Sequence, residues 1–259
     1  DLDVLQPFSM ERLELIEAIC RKKLPETLRA HHYIFNFNRW KREYSEQYLN
    51  ETISSDLCRV VFYGPRDGDV KNCTFVAISG ENNYHVAPFT LQESCEELQE
   101  CIEKTQRIKW ELGPYISHIE EAHIKILKNV LASKKVYSVE PNYIMYIPKE
   151  DILKYSIKIP VGTHLGPLKA QDAELVNDAW RFKNHGSLEY IRTLINLNGG
   201  VGLYSNENEE LLSWILTSDN FCPGFAQTIP SSRRKGYAEV CMKLLLKRMT
   251  EKYNTDGLA

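Results

Sequence analysis

Three consecutive cations precede the last long helix that the sequence predicts. Arg233, Arg234 and Lys235 follow Pro230, which ends a predicted strand, and Gly236 stands just before the helical pattern becomes regular. The start of a helix carries about half a positive charge, so each cation placed there costs about 0.3–1 kcal/mol. The first amides of a helix also lack partners within the helix. A bound phosphate would resolve both problems, because it accepts those amide hydrogen bonds and neutralises the side chains.

The residues alone leave two interpretations of this loop open. In the first, charge-assisted hydrogen bonds of about 1.5–3 kcal/mol each outweigh the placement cost, and Gly236 lets the backbone wrap closely around an anion. In the second, the loop is a solvated basic turn in which Ser231 or Ser232 caps the helix. The loop matches neither the G-x-x-x-x-G-K-[ST] pattern nor the G-x-G-x-x-G pattern, so it is not a P-loop or a dinucleotide loop.

The elements around the loop predict an α+β domain. Residues 170–182 and 188–197 have the pattern of helices, and three strands are predicted at residues 200–204, 211–217 and 224–229. Residues 238–253 predict a long amphipathic helix. This order of two helices, three strands and a helix is typical of a mostly antiparallel sheet flanked by helices.

The N-terminal half predicts a second α/β arrangement. Residues 9–23, 91–104 and 119–131 have helical spacing, whereas residues 30–38 alternate aromatic and other residues and predict a strand. Further strands are predicted at residues 58–63, 73–79, 84–91 and 135–147. Residues 148–166 are rich in proline and glycine, so the predicted domains are 1–155 and 160–259.

Composition excludes several classes of function. The 259 residues carry a formal net charge of -3, so no protein-wide basic field for nucleic acid exists and an anion site must be local. The longest apolar runs are too short to cross a bilayer. The seven cysteines lack the spacing of zinc or redox motifs and are expected in the core of an intracellular protein. His118 and His123 are five apart and predict no metal site.

The loop also resembles a known coenzyme A site. R-x-x-G-x-A at residues 233–238, directly after a strand, resembles the [R/Q]-x-x-G-x-[G/A] loop of the GNAT superfamily of acyl-CoA N-acyltransferases. Residues 212–214 and 226–230 are similar to the strand-strand-loop core of the glycine N-acyltransferase family. Residues 175–182 are similar to the helix that opens the catalytic domain of that family. The N-terminal half resembles the family more loosely, at residues 24–28 and 108–110.

This resemblance implies a function and a set of binding residues. It implies transfer of an acyl group from acyl-CoA or acetyl-CoA to a small amine such as glycine or another amino acid, without a metal. The main chain of Gln227, Thr228 and Ile229 would hold the pantetheine arm by β-augmentation. The loop would bind the pyrophosphate through the six residues Arg233, Arg234, Lys235, Gly236, Tyr237 and Ala238. The N-terminal half would be a degenerate copy of the GNAT fold.

Two departures from the family pattern leave the catalytic residue unassigned. The family's proposed general base is a Glu early in the last strand, where this sequence has Cys222, a thiol that is a poor substitute for a carboxylate. Asp219 is a candidate that would act through water. The resemblance also implies further elements after Tyr253 that these 259 residues lack. The alternative function is therefore a catalytically silent GNAT-like protein that binds CoA or a partner.

Overall fold

The structure, a computed structural model, describes residues 2–81, 84–117, 119–135 and 144–258. Short 3-10 turns lie at Asp56–Cys58, Val70–Asn72, Trp110–Leu112, Ala170–Asp172 and Pro230–Ser232. The helices are α1 (Met10–Lys22), α2 (Leu28–Glu43), α3 (Glu46–Thr52), α4 (Glu96–Lys104), α5 (Glu121–Ser133), α6 (Lys149–Leu153), α7 (Ala173–Ala179), α8 (Ser187–Leu197) and α9 (Tyr237–Tyr253). The strands are β1 (Leu5–Pro7), β2 (Val61–Pro65), β3 (Phe75–Ser79), β4 (His85–Phe89), β5 (Tyr115–Ile116), β6 (Tyr146–Ile147), β7 (Thr163–Pro167), β8 (Gly200–Ser205), β9 (Leu211–Thr217), β10 (Pro223–Thr228) and β11 (Gly257–Leu258).

The strands form three sheets in which antiparallel pairing dominates. The first sheet has the order β1-β2-β3-β4-β5, and its β4–β5 pair is parallel. The second has the order β10-β9-β8-β7 and is antiparallel throughout. Strands β6 and β11 form a third, two-stranded sheet. The prediction of an α+β fold with mainly antiparallel sheets and flanking helices is confirmed.

Contacts between Cα atoms divide the chain into two compact units. The first unit holds Asp1–Arg39 and Ser55–Asn142, and the second holds Trp40–Ser54 and Tyr143–Ala259. The predicted linker at residues 148–166 lies inside the second unit, where it contributes α6 and the start of β7. The division into domains at residues 155 and 160 stays a prediction.

The strand predicted at residues 30–38 is wrong, because this segment belongs to helix α2. Every residue from 31 to 40 is buried. A helix that is buried on all sides carries apolar residues on every face, so its sequence loses the 3.6-residue period. Tyr33 and Phe37, one turn apart, place their rings 5.3 Å from each other, and both rings contact Phe62 of β2. The alternating aromatic residues therefore reflect complete burial of a helix.

The first sheet buries both of its faces within its own unit. On one face, Phe62, Phe75 and Phe89 form a row of rings with centroids 5.4–5.5 Å apart, against α2. On the other face, Val76 packs in a cluster with the buried apolar side chains of α4 and α5, such as Leu98. Successive residues of a strand point to opposite faces, so neighbours such as Phe75 and Val76 enter different cores.

The second sheet is covered by α9, which packs against β8, β9 and β10. Cys241 and Leu245, one turn apart on α9, are buried against this sheet, as the predicted apolar stripe requires. The bounds of β8, β9, β10, α8 and α9 agree with the predicted elements to within one or two residues. The helix predicted at residues 170–182 is longer than the observed one. A 3-10 turn occupies its first residues, and α7 ends at Ala179.

Two further predictions concern the strand at residues 135–147 and the lack of a membrane-spanning segment. Of the strand predicted at residues 135–147, the structure has β6, and residues 136–143 lie outside the described residues. No helix within the described ranges combines the length and apolar character needed to cross a membrane.

Candidate functional site

The cationic loop connects the edge of the second sheet to helix α9. Strand β10 ends at Thr228, the 3-10 turn Pro230–Ser232 follows, and α9 begins at Tyr237. The residues between the turn and the helix, 233–236, are all exposed. The loop therefore has the strand-loop-helix context that the sequence predicts.

Two residues of the loop have left-handed backbone conformations. Gly236 has φ = 77° and Arg234 has φ = 62°. A Cβ atom at Gly236 would meet no atom within 4 Å, so this position favours glycine for its backbone angles and not for lack of space. Arg234 has a Cβ atom and stores backbone strain of about 1–2 kcal/mol. Strain of this size at an exposed loop is typical of functional sites.

The amides at the start of α9 lack partners in the described part of the chain. The first hydrogen bond of the helix joins the Val240 amide to the Gly236 carbonyl oxygen at 3.2 Å. The four amides of Gly236 through Glu239 donate no hydrogen bond to any residue that the structure describes. Gly236 holds the N-cap position and has no side chain to cap the helix, so the alternative of a cap by Ser231 or Ser232 is wrong.

The three cations of the loop have no carboxylate partner among the described residues. Arg233 donates from Nε to the carbonyl oxygen of Thr228 at 3.1 Å, and the Lys235 ammonium lies 5.8 Å from the centre of the Tyr237 ring. No ion pair involves Arg233, Arg234 or Lys235 in the described ranges. Positive charge and unused amide donors thus occur together at the start of α9.

Strand β10 lies at the edge of its sheet and contains a bulge. It pairs with β9 on one side, and no described strand pairs with its other side. Gly224 faces Leu216 and Gln227 faces Trp214, so residues 225 and 226 together oppose residue 215 alone. Phe225, within the bulge, has φ = 58°. The bulge interrupts the ladder just before the strand leads into the loop.

The main chain of β10 after the bulge presents Thr228 to the free edge. The Ile229 amide donates to the Leu212 carbonyl at 3.0 Å, and the Ile229 carbonyl accepts from the Ser232 amide at 3.0 Å. Thr228 pairs with Ser213. In an antiparallel pair, hydrogen-bonded and non-hydrogen-bonded residues alternate, so the main chain of Gln227 also turns towards β9 and that of Thr228 turns away. Of the three residues predicted to hold a pantetheine arm, Thr228 alone is directed to the edge.

The position of the family's proposed base is occupied by a half-buried thiol in a tight turn. The Cys222 thiol lies 3.6 Å from the Asn220 carbonyl oxygen, to which it donates. The amide and hydroxyl of Ser218 both donate to the Cys222 carbonyl, at 2.9 and 2.7 Å. A carboxylate oxygen of Asp219 accepts from the Asn220 amide at 2.9 Å. The turn is therefore fixed by its own hydrogen bonds.

Aromatic side chains surround the bulge, a feature that the sequence pattern did not reveal. The Trp180 ring lies 4.8 Å from the Phe225 ring, and the Tyr190 ring lies 6.0 Å from it. All three residues are partly exposed. The Gln227 side chain donates to the Ala179 carbonyl at 3.3 Å and ties β10 to the end of α7.

Of the two histidines considered as metal ligands, the structure describes one. His123 lies in α5, and His118 lies outside the described residues. Among the residues that the structure describes, no group of three or more His, Cys, Asp or Glu side chains has the arrangement of a metal site.

Comparisons with known proteins agree with a GNAT-like fold. Residues 4–130 match a family described as a domain of unknown function, DUF5645. A Drosophila protein of known structure is similar with a TM-score of 0.87 at 24% identity, over 99% of this chain and 89% of its own. A GCN5-related N-acetyltransferase from Kribbella flavida is similar with a TM-score of 0.50 at 14% identity, over 71% of this chain and 75% of its own. The chain has the fold of these proteins.

Proposed function

We propose that this protein is an acyl-CoA-dependent N-acyltransferase that binds the coenzyme pyrophosphate at the start of α9. The observation that carries the proposal is that four adjacent amides, at residues 236–239, have no hydrogen-bond acceptor among the described residues, next to three cations that have no carboxylate partner there. A pyrophosphate accepts such amide hydrogen bonds and compensates the positive charge of the helix start. The strain stored at Arg234 supports the same proposal, because strained backbone tends to occur where a ligand binds.

The edge of β10 offers a place for the pantetheine arm. The amide groups of this arm would pair with the main chain of Thr228, which faces the open side of the strand, by β-augmentation. Gln227 and Ile229 would flank this contact while their own main chains hold β10 to β9. The bulge at residues 225–226 would leave a main-chain amide free near the proposed position of the thioester. Such an amide can polarise the thioester carbonyl.

The proposed reaction is direct acyl transfer to an amine. The neutral amine attacks the thioester carbon and a base takes the amine proton. The carbon–sulfur bond then breaks, and the base returns the proton to the sulfur, so that CoA leaves as a thiol. The resemblance to glycine N-acyltransferases favours a small acceptor such as glycine or another amino acid. The similarity to a protein named an N-acetyltransferase supports the same reaction class.

Calorimetric titration of the full chain with acetyl-CoA and with benzoyl-CoA tests the binding proposal. We expect saturable heat with at least one of them, and a loss of at least tenfold in affinity when Arg233, Arg234 and Lys235 are all replaced by Ala. Arg248→Ala is the matched control, because it removes an exposed cation from the same helix about 18 Å from its start. Absence of heat with both ligands, or equal losses in both variants, would contradict the proposal.

A second candidate is a GNAT-like protein that binds CoA without turning it over. Cys222 at the position of the family's proposed base motivates this candidate. Release of free CoA with a panel of amines separates the two. Turnover by the unmodified chain supports the enzyme. Binding without turnover, unchanged in Cys222→Glu, supports the silent protein.

A further inference from the structure

Four aromatic side chains of the second unit form a continuous row of ring contacts that begins at the bulge of β10. The Phe225 ring, in the bulge, lies 6.0 Å from the Tyr190 ring and 4.8 Å from the Trp180 ring. The Trp180 ring in turn lies 6.0 Å from the Phe182 ring, at an angle of 72°. We call these four residues the ring row. None of them is fully buried, and Phe182 is 58% exposed, so the ring row presents apolar surface to a ligand.

The loop between α7 and α8, residues 180–186, is held by hydrogen bonds at both of its ends. Gln227 of β10 donates from its side chain to the Ala179 carbonyl at 3.3 Å, just before the loop. At the other end, the Ser187 hydroxyl accepts from the Asn184 amide at 3.1 Å. The two rings that this loop carries are therefore held near the bulge before any ligand binds. A surface that is fixed in advance loses little conformational entropy on binding.

An exposed arginine stands at the Phe182 end of the ring row without a carboxylate partner among the described residues. The guanidinium carbon of Arg181 lies 4.5 Å from the centre of the Phe182 ring. Lys183, two residues later, pairs with Asp178 at 3.2 Å, whereas no ion pair within the described ranges involves Arg181. A guanidinium that lies on a ring keeps the N–H groups at its edge, and these match the two oxygens of a carboxylate.

We propose that the ring row and Arg181 bind the acceptor, and that this acceptor is an amino acid with an aromatic side chain. The inference rests on the proposed acyltransferase function, because it assigns the second substrate of that reaction. The aromatic side chain of the acceptor packs against Trp180 and Phe225, and its carboxylate binds Arg181. The amine is attached to the carbon that joins these two groups, so it is held near the bulge. The carbon–nitrogen bond forms there, the carbon–sulfur bond breaks, and the amine proton passes through the base to the sulfur, which gives an N-acyl amino acid and free CoA.

The arrangement favours such an acceptor over glycine. Glycine offers no side chain to the rings, whereas an aromatic side chain removes apolar surface of both partners from water and makes edge-to-face or offset contacts. The cation favours the acceptor over the acyl chain as the occupant of the ring row. An amino acid carries a carboxylate next to its side chain, and a simple aromatic acyl group carries none.

Calorimetric titration of the full chain saturated with CoA tests the inference without turnover. CoA carries no acyl group, so no reaction consumes the added acceptor. We expect L-phenylalanine to bind about tenfold or more tightly than glycine, because the ring row discriminates by apolar contact. Phenethylamine lacks the carboxylate and should also bind about tenfold or more weakly than L-phenylalanine. Equal affinities for L-phenylalanine and glycine, or no heat with L-phenylalanine, would overturn the inference.

Two substitutions separate the ring contact from the carboxylate contact. Trp180→Ala should weaken the binding of L-phenylalanine and phenethylamine alike, whereas Arg181→Gln should weaken only that of L-phenylalanine. Lys183→Gln is the matched control for the arginine, since Lys183 is a neighbouring cation already paired with Asp178. Tyr155→Ala is the control for the ring, since Tyr155 is a half-buried residue of the same unit outside the ring row. Both controls should leave the three affinities within twofold.

The same variants distinguish the acceptor from the acyl chain. If Trp180→Ala weakens the binding of benzoyl-CoA and leaves that of L-phenylalanine unchanged, the ring row belongs to the acyl chain and the inference fails. If Arg181→Gln weakens phenethylamine as much as L-phenylalanine, Arg181 acts on the fold of the loop and does not bind a carboxylate, which also contradicts the inference.

Failure of this inference is distinguishable from failure of the proposed function. Heat with CoA, combined with equal binding of L-phenylalanine and glycine, rejects the aromatic acceptor and leaves the proposed coenzyme site in place. Absence of heat with CoA rejects the proposed function. The acceptors are then titrated into the chain alone, where the same order of affinities is required of the ring row. With acetyl-CoA as donor, kcat/KM for L-phenylalanine should exceed that for glycine about tenfold or more, and the reverse order would overturn the inference.

Discussion

The Nε atom of Arg233 donates a hydrogen bond to the carbonyl oxygen of Thr228, 3.1 Å away. Thr228 is the residue of β10 whose main chain faces the open edge of the sheet. One guanidinium therefore ties the start of the cationic loop to the strand edge proposed for the pantetheine arm. Because Nε is used for this contact, the two terminal nitrogens of Arg233 remain for an anion. The proposed pyrophosphate and pantetheine sites are thus coupled through a single side chain.

This coupling predicts that Arg233→Lys weakens CoA binding although the charge is kept. A lysine has no second nitrogen group with which to hold Thr228 and an anion at once. Loss of one charge-assisted hydrogen bond, about 1.5–3 kcal/mol, corresponds to a loss of about tenfold or more in affinity. Calorimetric titration with CoA measures this loss of affinity. Lys235→Arg is the control, because it keeps the charge at a residue that makes no hydrogen bond to Thr228 among the described residues. An unchanged Kd for Arg233→Lys would contradict the coupling.

A second prediction separates stability from binding at Gly236. Gly236→Ala places a Cβ atom on a residue with φ = 77°, which costs about 1–2 kcal/mol of folding free energy. The same substitution also disturbs the amides of residues 236–239, so CoA affinity should fall. Gly162→Ala is the control. Gly162 also has a positive φ, of 78°, and open space around its Cβ position, and it stands directly before β7, outside the cationic loop. Urea unfolding should show similar losses in both variants, whereas titration should show weaker binding only in Gly236→Ala.

The sequence was informative where a local physical signal dominates. Three cations at a helix start violate the preference of the helix dipole, and this local violation makes the loop a candidate anion site without any long-range information. The strands β8 and β9 carry clear turn signals at their ends, and α9 has a regular apolar stripe, so their bounds were predicted closely. Helix α2 was not predicted, because burial on all sides removes the periodicity on which a helix assignment depends.

The placement of residues 40–54 in the second unit depends on contacts that local patterns do not contain. The Trp40 indole donates from Nε1 to the Asn198 side-chain oxygen at 2.7 Å, and Tyr44 donates to the Leu197 carbonyl at 3.0 Å. Their partners lie at the end of α8, more than 150 residues later in the chain. The orientation of Thr228 is set in the same non-local way, by its pairing with Ser213 of β9.

A third prediction follows from the position of Asn198. Its side-chain nitrogen donates to the carbonyls of Thr217 and Ser218, at 3.1 and 2.8 Å, while its oxygen accepts from Trp40. Asn198→Asp keeps the acceptor for Trp40 and places a carboxylate oxygen against two carbonyl oxygens. We expect a loss of about 3 kcal/mol or more, because two hydrogen bonds are replaced by repulsion near the sheet.

Thermal and urea unfolding of the full chain, followed by tryptophan fluorescence, measure this loss. Asn196→Asp is the matched control, since residue 196 is an exposed Asn two positions earlier in α8, and its change should stay within about 0.5 kcal/mol. Equal stability of the two variants would show that the Asn198 hydrogen bonds do not hold this part of the sheet.

The last prediction concerns acid sensitivity of the first unit. Burial, with a smaller effect from Arg21, lowers the pKa of His31 to about 4, and burial together with His31 lowers the pKa of His32 to about 3. Both histidines are neutral in the folded chain, whereas in the unfolded chain their pKa is about 6.5. Below pH 6.5 the unfolded chain therefore binds more protons than the folded chain. The stabilising contribution is complete well above pH 6.5 and is lost as the pH falls through 6.5 towards 4.

Between pH 6.5 and pH 5, each histidine should remove about 1.5 kcal/mol from the free energy of unfolding, and the pair about 3 kcal/mol. Urea unfolding of the full chain at a series of pH values measures the slope. In the double variant His31→Gln/His32→Gln, the free energy of unfolding should change less with pH over this range, because only the other titratable groups then contribute. This holds even if the variant is less stable at every pH. Between pH 8 and 9 both chains should have nearly the same slope, because both histidines are then almost fully neutral in the folded and in the unfolded chain. If the free energy of unfolding of the double variant depended on pH as steeply as that of the original chain below pH 6.5, the α2 histidines would not be the groups that take up the protons.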